Sequence, residues 1–516
     1  MKVRSETGIR QPVRNEISPQ MDAANALSAM RRPAELMQLG GLVLVYAVAY
    51  VLDASILYQS INVTGPIVLA AILGWSCYRI VRQSPIAVWA PLFWFRFACA
   101  VYYGVGALVP HIVNEETKQE IYSYYYFDEA MNLKINLIYT LGILLTLCFS
   151  CVFIFELSRR TRSEPAGAER RAASQTRFFA LCFLIVGGIL RYGFALPYSF
   201  GLTTTVLPGA IVTLSSMYYV GIYLLIVYGM RFNRAVMPLA WLLIGTDILV
   251  SIASFAKTEL MLILIFSFLG FISREANKKR MVLGALCVAM AYFAFQPLVM
   301  YGREELVKRY GEIRGAGLGE RWDIVQIYVG GNRGTSDSEK QLGLLRLSYV
   351  NVAAFVIDRH DGGLAGTTLR DAAALFIPRV LWPDKPIITR LGGDLYFLVR
   401  GRDGSAMGVG HFAEAYWNFG WWGIAPFMAI LALILSLCTR VSVSVMADRA
   451  WLFLPVVFIG VNLGLRVDGH FVPDTLGAGW MALCLGLGLK GAEVLTRKKR
   501  QEKARFSQRY NFGRTA

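Results

Sequence analysis

A chain of 516 residues that is 55% hydrophobic and only 17% charged, with a mean hydropathy of +0.47, is too apolar for an ordinary soluble domain. Its formal charge of +17 is concentrated in short connecting stretches and tails beside apolar runs, so membrane topology explains the excess better than a nucleic-acid partner does. The eight cysteines all fall inside apolar runs, which argues against a disulfide framework.

Residues 1–35 make a polar, basic tail without the short apolar core and small-residue cleavage site of a signal peptide, so the first apolar run is expected to act as the insertion signal. A crossing helix needs 18 or more mostly apolar residues, because lipid satisfies no backbone N–H or C=O. Such runs predict an all-α polytopic protein of about twelve transmembrane helices, at 36–57, 64–81, 86–108, 134–156, 177–194, 207–229, 236–253, 257–273, 281–299, 419–438, 450–466 and 474–493. Lys and Arg are retained on the cytoplasmic side. The basic stretches 79–82, 159–177, 231–234, 274–280, 440–449 and 497–514 all fall on one side of this layout, which puts both termini in the cytoplasm. The opposite connections, 58–63, 109–133, 195–206, 254–256 and 467–473, carry few positive charges, and Glu115, Glu116 and Glu120 make one of them acidic.

Two membrane blocks, 36–299 and 419–493, then flank one large outer loop, 300–418, and a basic tail, 494–516, closes the chain. The loop is charge-mixed over 303–340, amphipathic and helical over 345–358 and 367–379, and rich in Pro, Gly and Asp over 383–410. No internal repeat or low-complexity tract is visible, which weakens a transporter built from repeated halves.

No G-x-x-x-x-G-K-[ST] loop occurs, which excludes ATP hydrolysis, and Gly486-Leu-Gly-Leu-Lys-Gly491 lies in the last span, where small residues serve helix packing. With only four histidines (His111, His360, His411, His470) and no H-E-x-x-H or Cys cluster, neither a metal nor a cofactor is expected. The outer loop concentrates cations: Arg303, Arg346, Arg359, Arg370, Arg379, Lys385, Arg390, Arg400 and Arg402. Arginine's planar fork takes phosphate oxygens in pairs, so several around a partly dehydrated pocket could hold a diphosphate without a metal. For any single arginine, pairing with Asp358, Asp361, Asp371, Asp384, Asp394 or Asp403 is the favoured reading.

Arg96 lies near the middle of the third span, and an intramembrane charge marks function by default, so Arg96 joins the loop cation Arg346 among the substrate-binding candidates. Arg191, and Arg466 with Asp468, are expected to snorkel to the outer interface. Tyr122-Ser-Tyr-Tyr-Tyr-Phe127 reads as an interfacial aromatic belt before a sugar-stacking surface. Gly410-His-Phe-Ala-Glu-Ala-Tyr-Trp-Asn-Phe-Gly-Trp-Trp-Gly423 places His411 and Glu414 on one helical face at the mouth of the tenth span. Either could accept a proton from a sugar hydroxyl, or the pair could only cap the helix, and the sequence leaves these even.

Pro378-Arg-Val-Leu-Trp-Pro-Asp-Lys-Pro386, a Gly-rich connector, and Gly410-x-x-x-Glu-x-Tyr-x-Asn-Phe-Gly-x-x-Gly423 resemble the signature of bacterial O-antigen polymerases, the Wzy-type oligosaccharide repeat unit polymerases. The match covers 378–423, and the many-span layout with its large periplasmic loop agrees along most of the chain. The resemblance implies a GT-C-like, metal-independent glycosyltransferase of the bacterial inner membrane. It would transfer a growing glycan from one undecaprenyl diphosphate carrier to the non-reducing end of a repeat unit on another, building O-antigen, capsule or exopolysaccharide. Arg379, Lys385 and Arg390 would hold the donor diphosphate, and Glu414 or His411 would orient or deprotonate the acceptor hydroxyl. Its partners would be the undecaprenyl-diphosphate-linked oligosaccharide, the lipid bilayer, a chain-length regulator and a flippase, with no nucleic acid. Two rivals are an O-antigen ligase, which the Trp382-Pro-Asp-Lys-Pro386 element disfavours, and a lipid-linked oligosaccharide flippase or other transporter. The transporter ranks last because the polar residues gather in one outer domain.

Overall fold

The computed structural model describes residues 19–115, 128–154, 168–203, 207, 209–272, 278–311, 316–330, 347–377, 381–382, 384–401 and 406–512. Among the described residues every regular element is helical, and nine helices are long and apolar enough to cross a membrane. The protein is an α-helical polytopic membrane protein. Large side chains such as Leu44, Trp241, Leu242 and Leu487 stay exposed on the helix flanks, where a lipid solvent welcomes them.

In chain order, α1 (Pro19–Ala29) and α2 (Pro33–Val51) precede α3 (Ser55–Gln83), α4 (Pro91–Ile112, with a π-helical turn at Ala100–Val105) and α5 (Glu129–Phe153). The second group is α6 (Ala168–Leu190), running into a π-helical turn at Arg191–Ala195, then α7 (Met217–Arg231), α8 (Met237–Ala253) and α9 (Lys257–Ile272). The long α10 (Lys278–Tyr310) leads to α11 (Leu318–Val329), α12 (Val350–Asp361) and α13 (Leu391–Arg400). The chain closes with α14 (His411–Phe419), α15 (Trp421–Ala447), α16 (Leu454–Leu465), a π-helical turn at Phe471–Gly477, and α17 (Ala478–Phe512).

The first connection falls at Leu52, Asp53 and Ala54, not at 58–63. Asp53 takes a left-handed conformation (φ 47°), which a short polar side chain tolerates, and accepts a hydrogen bond from the Tyr58 hydroxyl at 2.6 Å. Residues 58–63 lie inside α3, because the polar Asn62 finds a buried partner: its amide donates to the Glu129 carboxylate at 2.6 Å and to the Glu129 carbonyl at 2.9 Å. Between α6 and α7, small residues let backbones touch. A Cβ at Gly187 would stand 2.2 Å from the Tyr218 amide nitrogen, and one at Gly221 would stand 2.6 Å from that of Leu184. The two helix groups share one core, joined where Trp89 meets the Tyr223 ring at 4.8 Å and Phe266 stacks on Phe458 at 4.2 Å.

Beyond residue 299 the helix continues to Tyr310, and the start of the large loop is a structural buttress. Arg303 Nε donates to the Phe255 carbonyl at 3.1 Å, and the buried Arg321 of α11 donates to the Ala316 carbonyl at 3.0 Å and reaches Ser254 O at 3.5 Å. These cations satisfy carbonyls that the end of α8 leaves open. The helix expected over 345–358 begins at Val350. Gly362 and the left-handed Gly363 (φ 83°) end α12, and over 367–377, the described part of the helix expected at 367–379, the regular structure is a 3₁₀ turn at Ala372–Phe376.

Candidate functional site

α14 is set apart by its two flanking glycines, Gly410 (φ 79°) and Gly420 (φ 60°). Conformation and space both require glycine there: a Cβ at Gly410 would lie 2.8 Å from the Tyr103 hydroxyl, and one at Gly420 would lie 2.9 Å from His360 Nε2. The extended approach to α14 runs against residues 467–470. Gly410 N–H donates to Gly469 O (3.2 Å), His411 N–H to Val467 O (3.3 Å), and His470 Nε2 to Met407 O (3.0 Å). Gly408 permits this contact, since a Cβ would stand 2.2 Å from Asp468 O.

This pairing brings His411 and Glu414 face to face with the π-helical turn 471–477. Glu414, 0% exposed, accepts the Phe471 N–H at 2.7 Å through Oε2, and His470 Nδ1 stands 3.7 Å from the same oxygen. That separation suits an ion pair but is too long for a hydrogen bond. His411 Nε2 shares a 3.1 Å contact with the Thr475 hydroxyl. Asp474 accepts from the His470 N–H at 3.0 Å and from the Arg466 guanidinium at 2.7 Å. Tyr349 donates its hydroxyl to Asp468 at 2.5 Å. At the centre, Glu414 Oε1, His411 Nδ1 and His470 Nδ1 are buried without a hydrogen bond.

The two histidines are driven in opposite directions. Burial pushes His411 below its ordinary value, against the pull of Glu414. Burial acts on His470 too, but the neighbouring Glu414 carboxylate, helped by the Met407 carbonyl, outweighs it and raises that imidazole. Because Nε2 of His470 already donates to a carbonyl, only a second proton, on Nδ1, gives Glu414 a favourable neighbour. Environments that push like groups apart are how a site separates an acid from a base.

The opposite face of α14 is anchored by ions. Lys134 of α5 donates to Asp361 at 2.5 Å and lies 4.8 Å above the Tyr416 ring, while the Tyr416 hydroxyl donates to the other Asp361 oxygen at 2.8 Å. His360 Nδ1 donates to Trp417 O at 2.8 Å, and Asn418 donates to the Thr368 hydroxyl at 2.9 Å.

Of the residues expected at the site, the structure brings His411 and Glu414 together. Lys385 is tied to the carbonyls of Ile377 (2.9 Å) and Leu375 (3.4 Å), and the exposed Arg390 pairs with Asp394 at 3.2 Å. Both belong to the stretch whose 3₁₀ turns, Ala372–Phe376 and Ile388–Arg390, pack on the π-helical turn 471–477. Arg346, Arg379 and the aromatic run 122–127 lie outside the described residues.

Arg96, expected among the substrate-binding residues, has protein partners on every side. Its Nε sits 3.0 Å from Glu35, and its other nitrogens donate to Met30 O (2.8 Å) and Leu92 O (3.1 Å), so it is a buried structural ion pair. Arg191 does not snorkel either: it is buried between Asp247 and Glu259. Sequence reasoning missed His470, Asp474, Tyr349, Lys134 and Asp361. The signal available was Asp468-Gly-His-Phe-Val-Pro-Asp474, three titratable residues packed into a turn before the last apolar run. Comparisons of the chain with protein-family models, with curated proteins and with solved structures found no match in any of the three.

Proposed function

We propose that this protein polymerises undecaprenyl-diphosphate-linked oligosaccharide repeat units into a surface polysaccharide at the periplasmic face of the bacterial inner membrane. In this reading the chain crosses twelve times in a GT-C-like arrangement with both termini cytoplasmic. The three further crossings are the shorter apolar helices Glu259–Ile272 and Trp451–Leu465, together with α10. The observation that carries the proposal is Glu414, a fully buried carboxylate with one oxygen held by Phe471 N–H and the other unpartnered. It lies between two histidines of opposite bias, beside the stretch that bears Lys385 and Arg390.

The acceptor sugar hydroxyl attacks the anomeric carbon of the donor glycan. The bond from that carbon to the diphosphate oxygen breaks, and undecaprenyl diphosphate leaves with the electron pair. The hydroxyl proton passes to Glu414 Oε1 or to His411 Nδ1, the two open acceptors. His470, as an imidazolium, gives the Glu414 carboxylate a cationic neighbour 3.7 Å away. Lys385, Arg390 and the loop residues Arg379 and Arg346 would offset the charge that develops on the leaving diphosphate. Loss of one such donor costs about a hundredfold or more in rate.

The test is the length distribution of surface polysaccharide on a gel, from cells lacking the protein and complemented with wild type, Glu414→Gln or Arg379→Ala. Collapse of the ladder to a single capped repeat unit in both variants, with normal membrane insertion, is expected. An unchanged ladder overturns the proposal. Complete loss of attached units would replace it with a ligase or a flippase.

A further inference from the structure

The second helix group holds a polar cluster that glycosyl transfer does not use. Arg191 opens the π-helical turn 191–195 and is 2% exposed. It stands between two carboxylates, with Nε 2.7 Å from Asp247 Oδ1 and a terminal nitrogen 2.8 Å from Glu259 Oε2. Its guanidinium lies 5.0 Å from the Tyr219 ring centroid, and the Tyr192 hydroxyl donates to the same Asp247 oxygen at 3.1 Å. Asp247 is 0% exposed, and its second oxygen, Oδ2, has no hydrogen bond. One turn along the same face of α8, the Ser251 hydroxyl is equally buried and unpartnered.

The charged groups facing Asp247 are Arg191 from the π-helical turn and Glu259 from α9, with neutral phenols from Tyr192 on that turn and Tyr219 on α7. Arg321 of α11 is turned to the backbone carbonyls of Ala316, Ser254 and Ser199. Among the described residues one cation therefore meets two carboxylates, and with both ionised these groups hold a net negative charge among apolar helices. Arg191 and Tyr192 serve Oδ1 alone, so in the ionised form Oδ2 is a buried acceptor left without a hydrogen bond, and a proton on it also removes the excess charge.

We propose that Asp247 is a proton-binding site, with the proton on Oδ2, independent of the glycosyltransferase reading. Glu259 is the weaker candidate for that proton, because its side chain is 32% exposed and keeps access to water. A metal cation is the weaker ligand, because the two open oxygens of Asp247 and Ser251 fall far short of the roughly six that such an ion takes. Binding and release of the proton switch the cluster between neutral and negative at a π-helical turn, a form that recurs at functional sites.

Infrared spectra of the full-length protein in lipid nanodiscs near neutral pH test this. A carbonyl band of a protonated carboxylic acid should appear in wild type and vanish in Asp247→Asn. It should weaken about tenfold or more in Glu259→Gln, where the single remaining carboxylate pairs with Arg191 and stays ionised. Wild type lacking any band sensitive to Asp247→Asn overturns the proposal, whatever the fate of the variants. Labelling with a hydrophobic carbodiimide, mapped by mass spectrometry, locates the acid: an adduct on Asp247 is expected, and one on Glu259 instead overturns the assignment.

Discussion

Replacing Glu35 with Gln leaves the Arg96 guanidinium buried beside α1 and α2 with no counter-charge. Arg96 is 2% exposed and Glu35 3%, so water cannot compensate either group alone. Breaking such a pair from one side costs about 3–5 kcal/mol, and Arg96→Met, which strands Glu35, should cost a similar amount. The double variant Glu35→Gln/Arg96→Met removes both charges at similar volume. Besides the ion pair it forfeits the hydrogen bonds to Met30 O and Leu92 O and a 3.9 Å contact to Met30 Sδ, so it should end within about 1–3 kcal/mol of wild type. Two assays run in parallel: the fraction of purified protein that stays monodisperse after heating in detergent, and, on the proposed function, the polysaccharide ladder from cells. Each single variant should lose heat resistance, and the double should regain both heat resistance and ladder. A double variant as stable as wild type that makes no ladder would show that Arg96 acts on substrate, and the structural assignment would be refuted.

Two further outcomes follow from the site. With only four histidines in the chain, histidine-labelled NMR should resolve His470 titrating above and His411 below the ordinary value, and Glu414→Gln should lower His470. In stability terms, the His470 contribution is fully present below the ordinary histidine value and fades as pH rises through its raised value, whereas that of neutral, buried His411 is fully present above the ordinary value and is lost as pH falls from there through its lowered value; a single shared titration would contradict both. Gly410→Ala forces a side chain into a left-handed backbone 2.8 Å from the Tyr103 hydroxyl and should cost at least about 1–2 kcal/mol in heat resistance, together with most of the ladder. Adding Tyr103→Phe relieves the contact but also removes the buried hydrogen bond from Tyr103 to Val467 O, so little or no recovery is expected.

The crossing helices were legible because lipid forces apolar residues into continuous runs. What hydropathy could not show is where a polar residue finds a partner. Asn62 looks like loop until Glu129, on another helix, completes its hydrogen bonds inside α3. Arg96 stood out as a charge within an apolar run, but its counter-ion lies at position 35, the last residue assigned to the polar tail, and only the packed fold joins them. Arg191 looked interfacial from its place in the run, and its buried partners sit on two later helices. His411 and Glu414 were found because helical spacing is local. His470 and Asp474 reach them across more than 50 residues, through a backbone contact that depends on Gly408 and Gly410 having no side chain.

The flanking glycines also explain how the site is held. Gly420 breaks helix continuity between α14 and α15, so α14 is not positioned by the span that follows it. Its place is fixed from one side by Lys134, Asp361 and Tyr416, and from the other by Glu414 against the start of the last π-helical turn. Each buried, unpartnered polar atom at that second contact costs about 1–3 kcal/mol. Glu414 Oε1 and His411 Nδ1 face this penalty, and apolar side chains of the same size would avoid it, whereas His470 Nδ1 has Glu414 Oε2 as an ionic neighbour at 3.7 Å. A fold that keeps two such atoms together, and needs glycines with restricted alternatives to do so, sacrifices stability at the place where open proton acceptors are useful.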